Sequence, residues 1–119
     1  VSLAELDYCY LTTTGRRSGR PHRIEIWFAL HGDTVYLLAG DGHRSDWVGN
    51  LAAAPEALLE LGPWTERTEA RVVEPGSSED ALARRLLVDK YQPGYPEDLS
   101  EWGRTALPIA LAWPSGPRD

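Results

Sequence analysis

The stretch "HRIEIWFALHGDTVYLLAG", His22 to Gly40, carries the pattern that decides the fold. Ile24, Ile26, Phe28 and Leu30 recur at every second position, with Arg23 and Glu25 on the opposite face until Trp27 interrupts it. That period belongs to a strand with one face in a core. His31-Gly32-Asp33 is a tight-turn signal, and "TVYLLAG", Thr34 to Gly40, is a second run of strand-forming residues. Upstream, "YCYLTTT", Tyr8 to Thr14, is aromatic and β-branched and ends at Gly15, so three antiparallel strands are expected to open the chain as a meander.

Downstream the period changes. In "DGHRSDWVGNLAAAP", Ser45 can cap a helix, Trp47, Val48 and Leu51 fall at helical spacing, and Pro55 stops it. "ALLEL" and "RTEARVVEP" read as two more strands around a turn at Gly62 to Trp64. "SSEDALARRLLVDKY" opens with a serine cap and two acids in its first turn, and Leu82 and Leu86, joined by Ala83 and Leu87, form the expected buried stripe. One or two helical turns are expected around Leu99 and Trp102. "ALPIALAW" is the last strand, with Pro108 tolerated near its start or on an edge. The order β-β-β-α-β-β-α-(α)-β lacks βαβ alternation. It predicts a mostly β, α+β fold, an antiparallel barrel with flanking helices in one domain over residues 1–119, ending in a frayed tail "PSGPRD".

Composition narrows the function. The 119 residues suit one core, and the 12 basic and 18 acidic residues give a formal charge of -6, which argues against a nucleic-acid partner. Five Trp and five Tyr against one Phe favour a half-wet cavity, because both rings carry a polar handle. The single Cys9 excludes an intrachain disulfide and a cysteine-based zinc site and fits a reducing, cytoplasmic setting. The three histidines have no HxH or HExxH spacing, so no metal site is expected. No apolar run is long enough to cross a membrane as a helix. The chain starts at Val1 and has no Met, so the initiator lies outside it and an N-terminal arm can precede it.

Against the acidic background, "TTTGRRSGRPHR", Thr12 to Arg23, concentrates four arginines around two glycines and a serine. Glycines let successive N–H groups converge, Ser18 adds a hydroxyl, and guanidinium groups match phosphate or carboxylate. The loop reads as an anion site or as a solvated hairpin turn with surface ion pairs. His22 sits within it. His43, in a glycine-rich loop, is a candidate proton donor or a solvated side chain. No GxSxG elbow, P-loop or GxGxxG fingerprint is present.

"LTTTGRRSGRPHR", "GDGHRSDWVGNLAAAP" and "KYQPGYPEDLSEWGRTALPI", in this order, resemble the deazaflavin-dependent nitroreductase family of flavin/deazaflavin oxidoreductases. The resemblance implies a split β-barrel related to flavin mononucleotide (FMN)-binding barrels and the hydride carrier F420, with its anionic, polyglutamate-bearing tail. It assigns that tail to Arg16, Arg17, Ser18, Gly19 and His22. The deazaflavin ring is assigned to a groove between the third strand, the following loop and the short helix, with Ala39, Gly40, Asp41, Gly42, Trp47 and Asn50 around it. Tyr91 and Tyr95 take the substrate side, with His43 a further candidate proton donor, and Leu99 replaces a third tyrosine. Ala39-Gly40 stands where relatives often carry Ser-Lys. The implied reaction passes hydride from reduced F420 to a quinone, nitro or activated-alkene acceptor in a monomer or homodimer. An FMN-dependent reductase, or a non-catalytic binder of a flat cofactor or lipid, is the alternative.

Overall fold

The computed structural model describes residues 2–114, so the tail expected to fray lies, from Ser115 on, outside the described residues. After a short 3-10 turn at Leu3–Glu5, the strands are β1 (Cys9–Thr14), β2 (Pro21–Ile26), β3 (Ala29–His31), β4 (Thr34–Ala39), β5 (Glu56–Leu61), β6 (Trp64–Val72) and β7 (Leu107–Ala112). The α-helices are α1 (Asp46–Ala53), α2 (Ser78–Tyr91) and α3 (Ser100–Thr105). The strands pair antiparallel in the order β2-β1-β5-β6-β7-β4-β3, a curled sheet with flanking helices that makes the predicted split β-barrel.

The single strand expected from His22 to Leu30 is two. β2 pairs with β1, Cys9 opposite Ile26, whereas β3 pairs with β4, Ala29 opposite Tyr36. The predicted meander is therefore replaced: β2 and β4 are never partners, and the switch falls at Trp27-Phe28. Because β2 and β3 are consecutive in the chain yet lie at opposite ends of the strand order, the sheet must curl to bring its ends together. The alternation survives the switch: Ile24, Ile26 and Leu30 pack with Phe28 against the barrel interior. β6 makes a similar transfer, pairing with β5 as far as Glu69 and with β7 from Ala70.

Two cores follow. Cys9, Leu11, Phe28, Val35, Leu37, Leu59 and Trp113 belong to the barrel interior. A second cluster joins Tyr36, Leu38 and Ala110 to Ala83, Leu87 and Tyr91 of α2. β4 thus buries both faces, which accounts for its unbroken apolar run. The deepest stripe of α2 is Ala83, Leu87 and Tyr91, at i, i+4 and i+8, with Leu82 and Leu86 half-buried beside it rather than at its centre. Ser77 caps α2, its Oγ accepting from Asp80 N at 3.1 Å; Ser45 occupies the cap position of α1 without a side-chain cap bond.

Pro108 is the second residue of β7, near the strand's start as one of the two expectations had it, and β7 is a central strand and not an edge. The Pro108 carbonyl accepts from Val73 N at 3.1 Å, so its N–H-less nitrogen also faces Val73, just beyond the last β6–β7 pair at Val72–Ile109, and proline forfeits only the reciprocal bond at the point where the two strands part.

The partner switch leaves Phe28 with backbone groups outside the ladders. The Tyr91 hydroxyl accepts from Phe28 N at 3.0 Å and shares its own proton between Asp7 O at 2.9 Å and Phe28 O at 3.1 Å. Lys90 Nζ also donates to Phe28 O, at 3.0 Å, and lies over the Phe28 ring. The end of α2 supplies the polar partners that a buried bend requires.

Candidate active site

The connection between β1 and β2 folds back on itself through Gly15 N to Arg20 O and Gly19 N to Gly15 O, both 2.8 Å. Gly19 has φ +72, a left-handed conformation that favours glycine. Gly15 is needed for a different reason. A β-carbon there would lie 2.5–2.7 Å from the His22 ring and Ser18 Oγ, so these side chains close over bare backbone. Ser18 Oγ accepts from Arg20 N at 3.1 Å and lies 3.4 Å from His22 Nε2.

The four arginines have separate tasks. Arg16 fastens the loop to α1: its Nη1 donates to Asn50 Oδ1 at 2.8 Å and Asp46 O at 3.1 Å, its Nη2 meets Asp46 Oδ1 at 3.3 Å, and its backbone N reaches Asn50 Oδ1 at 3.1 Å. Asn50, only 5% exposed, completes the link by donating from Nδ2 to Thr13 Oγ1 at 3.1 Å. Gly49 makes room, since a β-carbon there would meet the Arg16 guanidinium at 3.0–3.2 Å. Arg23 turns away, forks onto Glu60 at 2.9 and 3.1 Å and lies 3.9 Å from the centre of the Tyr10 ring. Arg17 and Arg20 are exposed and make no ion pair with a described residue.

Arg17, Ser18 and His22 face a cleft of about 420 Å³, together with Ile24 of β2 and Trp47 and Asn50 of α1. The lining combines cationic and hydrogen-bonding groups with the apolar surface of Ile24 and Trp47, and Asp46, paired with Arg16, also borders it. A second cleft, about 580 Å³, follows along β2 at Glu25, Ile26 and Trp27 and is bounded by Leu38, Tyr95, Leu99 and Trp102. Trp27 is its main feature: one face stacks on Tyr91 at 4.2 Å and 3°, while Tyr95 and Trp102 stand perpendicular to it at 5.4 and 5.6 Å.

The remaining predicted residues divide. Tyr95 lines the second cleft and is 39% exposed. Tyr91 lines neither cleft; it is 9% exposed, its hydroxyl is committed to the Phe28 bend, and burial pushes that hydroxyl's pKa up to about 12. Ala39 is buried at the end of β4 opposite Leu107, and Gly40 backs Trp102, a hypothetical β-carbon lying 3.7 Å from the indole. Ala39, Gly40, Asp41 and Gly42 line neither cleft. His43 is exposed at a separate small hollow with Val48, Leu51 and Arg71. Glu25, Trp27 and Asp46 are additions to the expected set. Trp27 leaves a signal in the sequence, as the aromatic residue that interrupts the polar face of the strand expected from His22 to Leu30. No cluster of metal-ligating side chains occurs among the described residues.

The F420H(2)-dependent quinone reductase family model matches residues 1–114. The F420H(2)-dependent quinone reductase of Mycobacterium tuberculosis strain ATCC 25618 / H37Rv is 27% identical over 104 residues, covering 85% of this chain and 68% of that protein. Among solved structures, an F420-H2 dependent reductase superposes with a TM-score of 0.71 at 20% identity, over 89% of this chain and 93% of the other. A chain described as a domain-swapped dimer also gives 0.71, at 21% identity, over 89% of this chain and 79% of its own. The barrel, the basic loop and the family match over nearly the whole sequence lead to one conclusion: the chain belongs to the F420H(2)-dependent quinone reductase family and is an F420-dependent oxidoreductase.

Proposed function

We propose that the first cleft holds reduced F420, with Arg17, Ser18 and His22 on its anionic tail, and that the cleft at Trp27 admits the acceptor, a quinone or nitro compound or an activated alkene. The observation that carries this reading is Arg17, which makes no ion pair with a described residue, in one cleft with the apolar surface of Ile24 and Trp47. The donor set fits a flat group with an anionic tail: a guanidinium, a hydroxyl and an imidazole together with an indole and an isoleucine line the same cleft.

When bound, reduced F420 supplies a hydride which, with one proton, converts a quinone to its hydroquinone. The protein's part is positioning. Arg16 and Asn50 fix the loop on α1, Arg17 and His22 offer polar partners for negative charge, and Ile24 and Trp47 keep water from the apolar side. Of Tyr91, Tyr95 and His43, Tyr95 is the one whose ring borders the acceptor cleft, so its hydroxyl is the candidate to hand a proton from solvent to the acceptor. A reducing, cytoplasmic setting suits the buried free thiol of Cys9. Self-association as a homodimer has support from the domain-swapped dimer among the neighbours, and sedimentation velocity separates it from a monomer.

The test is a fluorescence titration with F420, since Trp47 lines the cleft. Binding should quench tryptophan emission and weaken as salt rises. Arg17→Ala should raise Kd about tenfold while the melting temperature stays within about 2 °C of the parent. Unchanged affinity in Arg17→Ala, or tighter binding of FMN than of F420, would refute the assignment.

A further inference from the structure

A neutral quinone calls for apolar walls and a hydrogen-bond donor. The second cleft departs from that specification. Its aromatic surfaces are set at right angles: the Trp27 floor is backed by Tyr91, and Tyr95 and Trp102 rise from it at 88° and 89°. Its rim is acidic, carrying Glu25, Glu97, Asp98 and Glu101, and among the described residues no lysine or arginine lines it. Two of these carboxylates are fixed in place. Glu25 Oε1 accepts from the Tyr10 hydroxyl at 2.7 Å, and Asp98 Oδ1 accepts from Ser100 N at 2.9 Å and Ser100 Oγ at 2.6 Å.

Two of the three neighbouring cations are engaged elsewhere, and the third pairs with a carboxylate of the rim itself. Arg23 is on Glu60, Lys90 is on Phe28 O behind Tyr91, and Arg104 reaches only Glu101, at 3.5 Å on the surface. Glu97 and Asp98 make no ion pair with a described residue, while Glu101 shares Arg104 and Glu25 feels the charge of Arg23, so the cleft keeps a net negative rim beside its aromatic rings, and carboxylates and ring faces both attract positive charge. The first cleft, one step along β2, has the opposite character at Arg17 and His22.

We infer that the Trp27 cleft is a cation-selective aromatic box, and that the acceptor it admits best carries an ammonium or a comparably delocalised cation beside its electrophilic group. The acceptor clause rests on the reading of this cleft as the acceptor side; the cation site does not. Each wall has a distinct support. Trp27 is held by its stack on Tyr91, Trp102 lies against the Gly40 backbone, and Tyr95, the most exposed of the three, is the wall that can be removed without opening a core.

The experiment compares choline with its neutral carbon isostere dimethylbutanol on the full chain, without F420, following tryptophan fluorescence and the indole N–H resonances. Choline should bind at least about tenfold more tightly than the isostere and should perturb the Trp27 and Trp102 signals. Tyr95→Leu should weaken choline about fivefold, and Glu97→Gln with Glu101→Gln about threefold, with added salt eroding the same preference. Equal binding of the two probes, no binding of either, or an unaltered affinity in Tyr95→Leu would overturn the box. A separate arm measures quinone reduction by the F420-loaded protein with choline present. Competition supports both the box and the acceptor reading; choline bound without competition supports the box and overturns the acceptor clause.

Discussion

Replacing Asn50 by Ala tests whether the basic loop is a built site or a loose turn. In one side chain Asn50 accepts from Arg16 N and Arg16 Nη1 and donates to Thr13 Oγ1, at 3.1, 2.8 and 3.1 Å. Thr13 is 2% exposed, so its hydroxyl finds no replacement in water, whereas the Arg16 side chain is 30% exposed and regains part of its solvation. Taking about 1 kcal/mol for each lost bond and allowing for the stranded hydroxyl and the recovered hydration, Asn50→Ala should cost about 3 kcal/mol. For a chain of this length each kcal/mol lowers the melting point by about 4 °C, so calorimetry should show a fall of about 12 °C. F420 affinity should fall with it, because the loop loses its anchor on α1. Asn50→Asp is the internal control: a carboxylate still accepts from Arg16 and can accept from a rotated Thr13 hydroxyl, so it should lose less than about half as much. A melting point for Asn50→Ala within about 2 °C of the parent, with F420 affinity unchanged, would show that the link from loop to helix carries no free energy.

Glu79 accepts from Arg71 and from the Tyr36 hydroxyl, and these bonds hold its carboxyl down at about 2 from the usual 4.5. Its contribution to stability is full above the unfolded pKa and is lost as pH falls from 4.5 towards 2, so Glu79→Gln should flatten urea-melt stability across that window. Tyr91→Phe should strand the Phe28 N–H and cost about 1–3 kcal/mol in the same assay, while the turnover rate with F420 and a quinone stays near that of the parent. A large loss of turnover at unchanged stability would instead restore Tyr91 as a proton donor. Gly103 of α3 faces Val88 of α2 so closely that an added β-carbon would overlap Val88 Cγ2. Gly103→Ala should therefore cost about 1–3 kcal/mol, and a Val88→Ala background should recover most of that loss in a double-mutant cycle.

What the sequence made legible was local. Strand periods, the Pro55 stop, the Ser77 cap and the Gly15 loop depend on residues a few positions apart, and the structure keeps them. The partner switch at Trp27-Phe28 was hidden because the alternation of Ile24, Ile26, Phe28 and Leu30 continues through it; only long-range pairing distinguishes one strand from two. The buried row of α2 shifted to Ala83, Leu87 and Tyr91 for a similar reason, since leucines at neighbouring positions offer two stripes and the packing against β4 selects between them. Arginine pairing was equally non-local. Arg16, Arg17 and Arg23 look alike in a run of text, yet Asn50 claims the first, Glu60 claims the third, and Arg17 is left facing the cleft.

The hydroxyl of Tyr91 gives the fold a mechanical coupling. It holds both polar groups of Phe28, the residue after Trp27, and its ring carries the Trp27 indole. An excursion that lifts the end of α2 would therefore release the Phe28 amide to solvent and remove the floor of the aromatic cleft in one movement. Deuterium uptake at that amide becomes a gauge of how often the cleft comes apart, and a ligand seated against Trp27 would register there as slowed exchange before any turnover is measured.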